Sequence, residues 1–222
     1  MYGRMQYGKR VVGLTALVTL TVLAGCFSLS RTETPQRYYV LGGSVMQEDT
    51  APPAGLAGVK IGVRRLRLAS YLDPPYLAVR HGPHEIRYSE FHRWGEQLDA
   101  GINRAVAAYL TARAAFGRVD VAPWPARGSY DYLIQVRVER FEGALAEPAA
   151  VVGEVHMLAT WEIFRQRDGS VLASGITDHR EGEWTVGDHT GLVRALDTGL
   201  SVLSRDLVAS LEELQASATA HR

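Results

Sequence analysis

Tyr132-Leu133-Ile134-Gln135-Val136-Arg137-Val138-Glu139 decides the fold of this chain. Tyr132, Ile134, Val136 and Val138 are apolar, whereas Gln135, Arg137 and Glu139 are polar, which is the two-residue period of a strand with one buried face. A second run repeats the pattern: Val155, Met157, Ala159, Trp161 and Ile163 alternate with His156, Thr160 and Glu162. It leads into Asp168-Gly169, residues that tolerate left-handed backbone and suit a tight hairpin, and Val171 to about His179 returns antiparallel. Glu142 to Val151, with Gly143 and Pro148, reads as the loop between the first two strands.

Upstream, Val59, Ile61 and Val63 alternate with Lys60, Gly62 and Arg64, and Tyr38-Tyr39-Val40-Leu41 is a short aromatic and β-branched strand. Met46 to Gly58, with Pro52-Pro53, is a loop. Tyr76 to Arg80 and Glu85 to Tyr88 flank His81-Gly82-Pro83-His84, a hairpin turn. Leu98, Ile102, Ala105, Val106, Tyr109 and Phe116 recur at three- and four-residue steps, so a helix lays one stripe on the sheet and stops at Gly117. Leu192, Leu196, Leu200, Leu203, Leu207, Leu211 and Leu214 mark a second helix behind an N-cap at Asp188. That leucine face either packs within the chain or forms the seam of a homo-oligomer, and Gly199 favours the first.

The order of elements predicts an α+β domain: a mixed, mostly antiparallel sheet with two main helices packed on one face. A lipoprotein signal peptide and a short tether precede it. Arg4, Lys9 and Arg10 stand before the apolar run Val11 to Leu23, and Leu23-Ala24-Gly25-Cys26 closes it. Small residues there let a peptidase reach the bond before the cysteine, so Leu23, Ala24 and Gly25 are its recognition residues and Cys26 the lipid attachment site. The run is 13 residues. A helix of that length rises only about 20 Å against a hydrocarbon core of about 30 Å, a poor permanent span. A diacylglycerol thioether and an N-acyl chain on Cys26 would anchor the protein instead, because each buried CH₂ contributes about 0.8 kcal/mol. The expected divisions are 1–25 signal peptide, 26–36 lipidated tether, 37–215 folded domain and 216–222 polar tail.

The chain has 24 Lys and Arg against 24 Asp and Glu. The first 25 residues hold three basic and no acidic side chains, so the processed 197 residues carry a net charge of −3. No clustered positive field is present to hold nucleic acid. With 46% hydrophobic residues the chain fills a core, and its single cysteine means that no internal disulfide supports that core.

Several separated motifs stand in a familiar order: Ile61-Gly62-Val63, Leu68-Ala69-Ser70-Tyr71-Leu72-Asp73, Val79-Arg80, Glu90-Phe91-His92-Arg93-Trp94-Gly95-Glu96-Gln97-Leu98, Asp131-Tyr132, and Val136-Arg137-Val138-Glu139-Arg140-Phe141. Together with the lipobox they resemble the PqiC/YmbA-type ABC-transport auxiliary lipoproteins. Ala69 and Gln97 depart from positions where that family often carries Pro. The resemblance implies a non-enzymatic lipoprotein of the outer membrane, anchored in the inner leaflet and facing the periplasm. Its implied partners are an MCE-domain protein that spans the periplasm, the inner-membrane permease system behind it, and outer-membrane lipids. Phe27, where inner-membrane lipoproteins of enteric-type bacteria usually carry Asp, points to the same membrane. A structural lipoprotein of another envelope machine, of secretion or pilus type, satisfies the anchor equally.

The sequence offers no catalytic residues and no metal site. His81 and His84 are three apart across a turn, but zinc needs further ligands at recognisable spacing. No Gly-x-Ser-x-Gly elbow, phosphate-cradling loop or His-Glu-x-x-His helix occurs. Beyond the lipid, no cofactor is expected. Four residues are candidates for a partner-facing surface: Phe91 and Trp94, because aromatics are enriched at interfaces, and Arg64 and Arg65, from a basic run that also includes Arg67. The competing readings are a packed cluster ahead of the first helix and a solvated strand end.

Overall fold

The computed structural model describes residues 35–43, 54–124, 128–147 and 149–220. Nine strands and two helices follow the order β1 (Arg37–Tyr39), β2 (Lys60–Val63), β3 (Arg67–Leu68), β4 (Tyr76–His81), β5 (Glu85–Trp94), α1 (Leu98–Arg113), β6 (Arg118–Val121), β7 (Tyr132–Leu145), β8 (Val152–Arg165), β9 (Val171–Thr185) and α2 (His189–Ala220), with short 3₁₀ turns at Ala54–Leu56 and Ser70–Leu72.

β7 is the spine of a single mixed sheet. Along one edge it runs antiparallel to β8, which in turn runs antiparallel to β9. Its other edge is shared end to end by three short parallel strands: β2 beside Ile134, β3 beside Val138 and β4 beside Gly143. β6 adds to β2 in parallel, β5 to β4 antiparallel, and β1 to β5 in parallel. The long pairings are thus antiparallel and the short ones parallel, as a mostly antiparallel mixed sheet requires.

Both helices pack on one face. Tyr132, Ile134, Val136 and Val138 of β7, and Val155, Met157, Ala159 and Ile163 of β8, are buried against Ile102, Val106 and Tyr109 of α1 and the leucines of α2. Leu192, Leu196, Leu200, Leu203, Leu207 and Leu211 are all buried within the one chain. The stripe therefore needs no second copy to cover it. A Cβ on Gly199 would sit 3.0 Å from the Met157 Cβ and 3.2 Å from the His179 ring, so glycine there lets α2 lie directly on β8 and β9. Asp188 caps α2, its Oδ1 accepting from the Gly191 N–H at 2.8 Å.

Four expectations need correction. β7 does not stop before Glu142 but continues to Leu145, because a bulge between Val138 and Arg140 shifts the alternation by one residue. Beyond it Phe141 and Leu145 face inward, and Gly143 lies beneath the Trp184 ring, where a Cβ would come within 2.5 Å. β9 runs six residues past His179, to Thr185. α1 ends at Arg113, ahead of Phe116, and Gly117 instead allows close approach to the Gly58 carbonyl. α2 extends through Ala220, into the stretch expected to be a polar tail. β3 and β6 had no signal of their own, being two and four residues long.

Candidate functional site

Side chains of β7, β8 and β9 that point away from the helices form the second face of the sheet. Its middle is an open depression of about 490 Å³ bordered by Arg67, Gln135, Arg137, Thr160, Glu162 and Ile176. Strand register explains the assembly: Gln135 stands opposite Glu162 and Ser174, and Arg137 opposite Thr160 and Ile176. Ile176 is 68% exposed, and Arg137 lies 3.7 Å from Glu139. Arg64 borders the same face, its guanidinium 4.4 Å from the centroid of the Phe164 ring. Asn103 of α1 donates to the Arg64 carbonyl at 3.3 Å, and the Arg65 carbonyl accepts from Gln135 at 3.0 Å, so the basic run is fixed to the sheet by its backbone.

Toward the far end of this face the charges become buried. Glu142 is fully buried, yet it lies on the side away from the helices. It accepts from Arg80 Nε at 2.5 Å and from the Tyr71 hydroxyl, while the guanidinium of Arg80 lies 5.4 Å from the Tyr71 ring centroid. Burial pushes the Tyr71 phenol well above its ordinary pKa, and the neighbouring carboxylate adds to the rise. Burial works against the charge of Arg80, but Glu142 outweighs it and the guanidinium pKa rises.

Opposite Glu142 on β8 is His156, itself buried. Its Nε2 lies 2.8 Å from Asp178, which also accepts from Arg180 at 3.2 Å, and Arg180 reaches Glu154 at 3.1 Å. Burial depresses the imidazole pKa; Asp178 pulls it up, and Arg180 and Arg140 push it further down. Burial opposes ionisation of Asp178, yet bonds from Arg180 and His156 hold its carboxyl below the usual range.

The candidates named from sequence fall in different places. Trp94 is buried and packs on Phe141 with ring centroids 5.8 Å apart. Its indole belongs to the core below α1, which removes it as a partner-facing group. Phe91 is 39% exposed on β5, remote in register from the depression. Arg65 is exposed, and Arg64 is half-buried against Phe164. Leu23, Ala24, Gly25, Cys26 and Phe27 lie outside the described residues. Sequence reasoning missed Glu142, Arg80 and His156 as a unit. A signal existed, since Tyr71, Arg80 and Phe141, next to Glu142, each belong to the motifs that carried the resemblance. His81 and His84 flank the turn at Gly82, whose φ is +63°. Among the described residues, no three His, Cys, Asp or Glu stand together where they could hold a metal.

A mixed sheet with both helices on one face and a broad, shallow, arginine-bordered surface on the other defines an α+β domain. The chain belongs to the family of ABC-type transport auxiliary lipoprotein components, whose model matches residues 39–208. Among solved structures it is similar to protein XCC0632 from Xanthomonas campestris, at 18% identity and a TM-score of 0.63 over 83% of this chain and 98% of that one. An uncharacterized protein aligns at 18% identity and a TM-score of 0.62, over 80% of this chain and 99% of the other. Both likenesses are of fold. No curated protein matches the chain.

Proposed function

We propose that this protein is a non-catalytic component of an MCE-protein/ABC-type intermembrane lipid transport system, held by acyl chains on Cys26 in the inner leaflet of the outer membrane. It docks the periplasm-spanning partner there. The observation that carries this reading is the family match over residues 39–208, in a chain whose preceding segment ends in Leu23-Ala24-Gly25-Cys26. Anchoring confines the domain to a thin layer beneath the membrane and raises its effective concentration for any partner that reaches that layer.

The open sheet face is the docking surface in this reading. Arg64, Arg67 and Arg137 outnumber Glu139 and Glu162 around it, which suits an acidic rim on the partner. A shallow surface of this kind fits a protein better than a small substrate, which binds in deep, mostly apolar pockets.

The test combines an anchor variant with a surface variant. Cys26→Ala should leave the outer-membrane fraction, and lipid transport should fail. Arg67→Glu with Arg137→Glu should stay in that fraction but lose crosslinked co-purification of the MCE-domain protein. An anchored, folded double variant that still captured the partner in full would refute the surface, and an outer-membrane Cys26→Ala variant that still supported transport would refute the anchor.

A further inference from the structure

β1 is where the folded domain begins, and its exposed side carries an aromatic and cationic patch. Tyr38 is 63% exposed and Val40, just past the strand, 62%, and both lie against Gly95. Tyr38 pairs in register with Arg93 of β5, and Phe91, 39% exposed, precedes Arg93 by two residues on that side. The Arg93 guanidinium lies 4.6 Å from the Tyr76 ring centroid and donates to the Tyr76 hydroxyl at 3.1 Å. Tyr76 meets the exposed Tyr88 at 6.3 Å between centroids. Tyr38, Val40, Phe91, Tyr88 and Arg93 thus form one surface, with the exposed Arg37 beside it.

That surface is firmly held. The Gly42 N–H donates to Asp197 of α2 at 2.7 Å, and the Leu41 carbonyl accepts from Arg104 of α1 at 3.1 Å. Beneath it Tyr39 bonds His92 Nδ1 at 2.9 Å, and the His92 ring stacks on His189 at 3.5 Å.

We propose that this patch lies in the headgroup layer of the bilayer that carries the acyl chains, so that the domain has a fixed orientation on the membrane. The proposal rests on the anchor reading given above. The argument is one of place and chemistry. Arg37 follows Cys26 by 11 residues, which even fully extended reach only about 40 Å, so β1 stays near the lipid. Tyrosine and phenylalanine rings suit the boundary between headgroups and acyl chains, where one end of the ring is apolar and the other wet. Arg37 and Arg93 supply positive charge at the level of the lipid phosphates. With the patch facing the membrane, lipid contact fixes the domain's approach to its partner and not its location alone.

The test uses the full lipidated chain with single cysteines, Val40→Cys, Phe91→Cys or Ile176→Cys, each labelled with the fluorophore NBD. The proteins are reconstituted into phosphatidylethanolamine/phosphatidylglycerol vesicles with or without lipids spin-labelled near the headgroup. Patch insertion to the acyl boundary predicts quenching of about twofold or more at positions 40 and 91, and none at 176, which lies on β9, at the far edge of the sheet from β1. Unquenched labels at 40 and 91 on vesicles that carry the protein would overturn the patch and leave the anchor intact. Failure to float with vesicles would overturn both. A blue shift at 40 and 91 that needs no lipid and grows with protein concentration would place a second copy on the patch and end the proposal.

Discussion

The two faces of the β7–β8–β9 sheet are buried by opposite means. Toward the helices, Met157, Ile163 and the α2 leucines interdigitate as an apolar core. Away from them, Glu142 and His156 are as deeply buried as any leucine, but within a lattice of Arg80, Tyr71, Asp178 and Arg180. The difference lies in directionality. Apolar packing tolerates small shifts of its members, whereas an ion buried on a sheet face keeps its stability only while every partner stays in place. The charged end therefore fixes where the Ser70–Leu72 turn and the β4–β5 hairpin sit against β7, and with them the border of the open depression.

Arg80→Ala separates the two mechanisms most sharply. It strands Glu142 in a buried site, and a loss of about 3–5 kcal/mol is expected in denaturant unfolding. Arg80→Met with Glu142→Gln removes both charges and should recover much of that loss. Recovery would show that the lattice provides geometry more than net stability; equal loss in both variants would show that the side-chain volumes matter and the charges do not. On the helix side, Leu200→Ala leaves a cavity at a fully buried position and should cost about 3 kcal/mol. The same unfolding experiment should show no dependence of that loss on pH.

The next contrast is one of pH. Burial holds the pKa of His156 below its ordinary value, and burial does the same for His92 and His189, helped by Arg37 at the first and by His92 at the second. A depressed imidazole pKa means that the unfolded chain binds protons first as pH falls. The stability is complete above the ordinary histidine value and declines as pH drops through it toward the folded values. Melting temperature should therefore fall from pH 7.5 to 5.5, with a shallower decline in His156→Gln, whose amide can still donate to Asp178. An unchanged slope would assign the effect to the stacked His92–His189 pair.

Legibility from sequence divides along the same line. The helix-packed face was readable because periods of two and 3.6 are direct consequences of burying one side of a strand or helix. β8 and α2 followed from that rule, and the Asp188 cap from the side-chain chemistry of an N-cap. The other face was not, because its buried members are polar and carry no periodic signal. Glu142 reads as loop when alternation is broken by a bulge, and nothing local to Arg80 or His156 says that a third strand brings partners to them. Short parallel strands such as β3 were equally silent, since their existence depends on β7 offering an edge. The basic run at Arg64 was visible as charge, but its place on the rim of the depression comes from the tertiary contact with Phe164. Trp94 looked like surface chemistry for the same reason that it is core: an aromatic just ahead of a helix serves either purpose, and only Phe141 across the fold decides between them.

The smallest effect expected concerns Glu183, whose φ of +59° is rare for a residue with a Cβ. Between β8 and β9 the register passes from Val155↔Glu181 to Gly153↔Trp184, so β9 holds one extra residue there. The bulge reverses the alternation. Thr177 and His179 face α2 from odd positions, and after the extra residue the even-numbered Trp184 turns inward, covering Gly143 and donating to the Asp188 carbonyl at 2.9 Å. Glu183→Gly should relieve the left-handed strain and raise stability by about 1 kcal/mol or less, because the greater freedom of glycine in the unfolded chain offsets part of the gain. A measured loss would mean that the glutamate side chain supports the bulge. Deleting Glu183 is a different experiment, since it removes the bulge and moves Trp184 up to the odd, inward position, two residues after Glu181 and still opposite Gly153. Near-ultraviolet circular dichroism of the indole should then be largely retained in both variants, and a signal lost in the deletion alone would mean that the bulge itself, and not the alternation, seats Trp184 over Gly143.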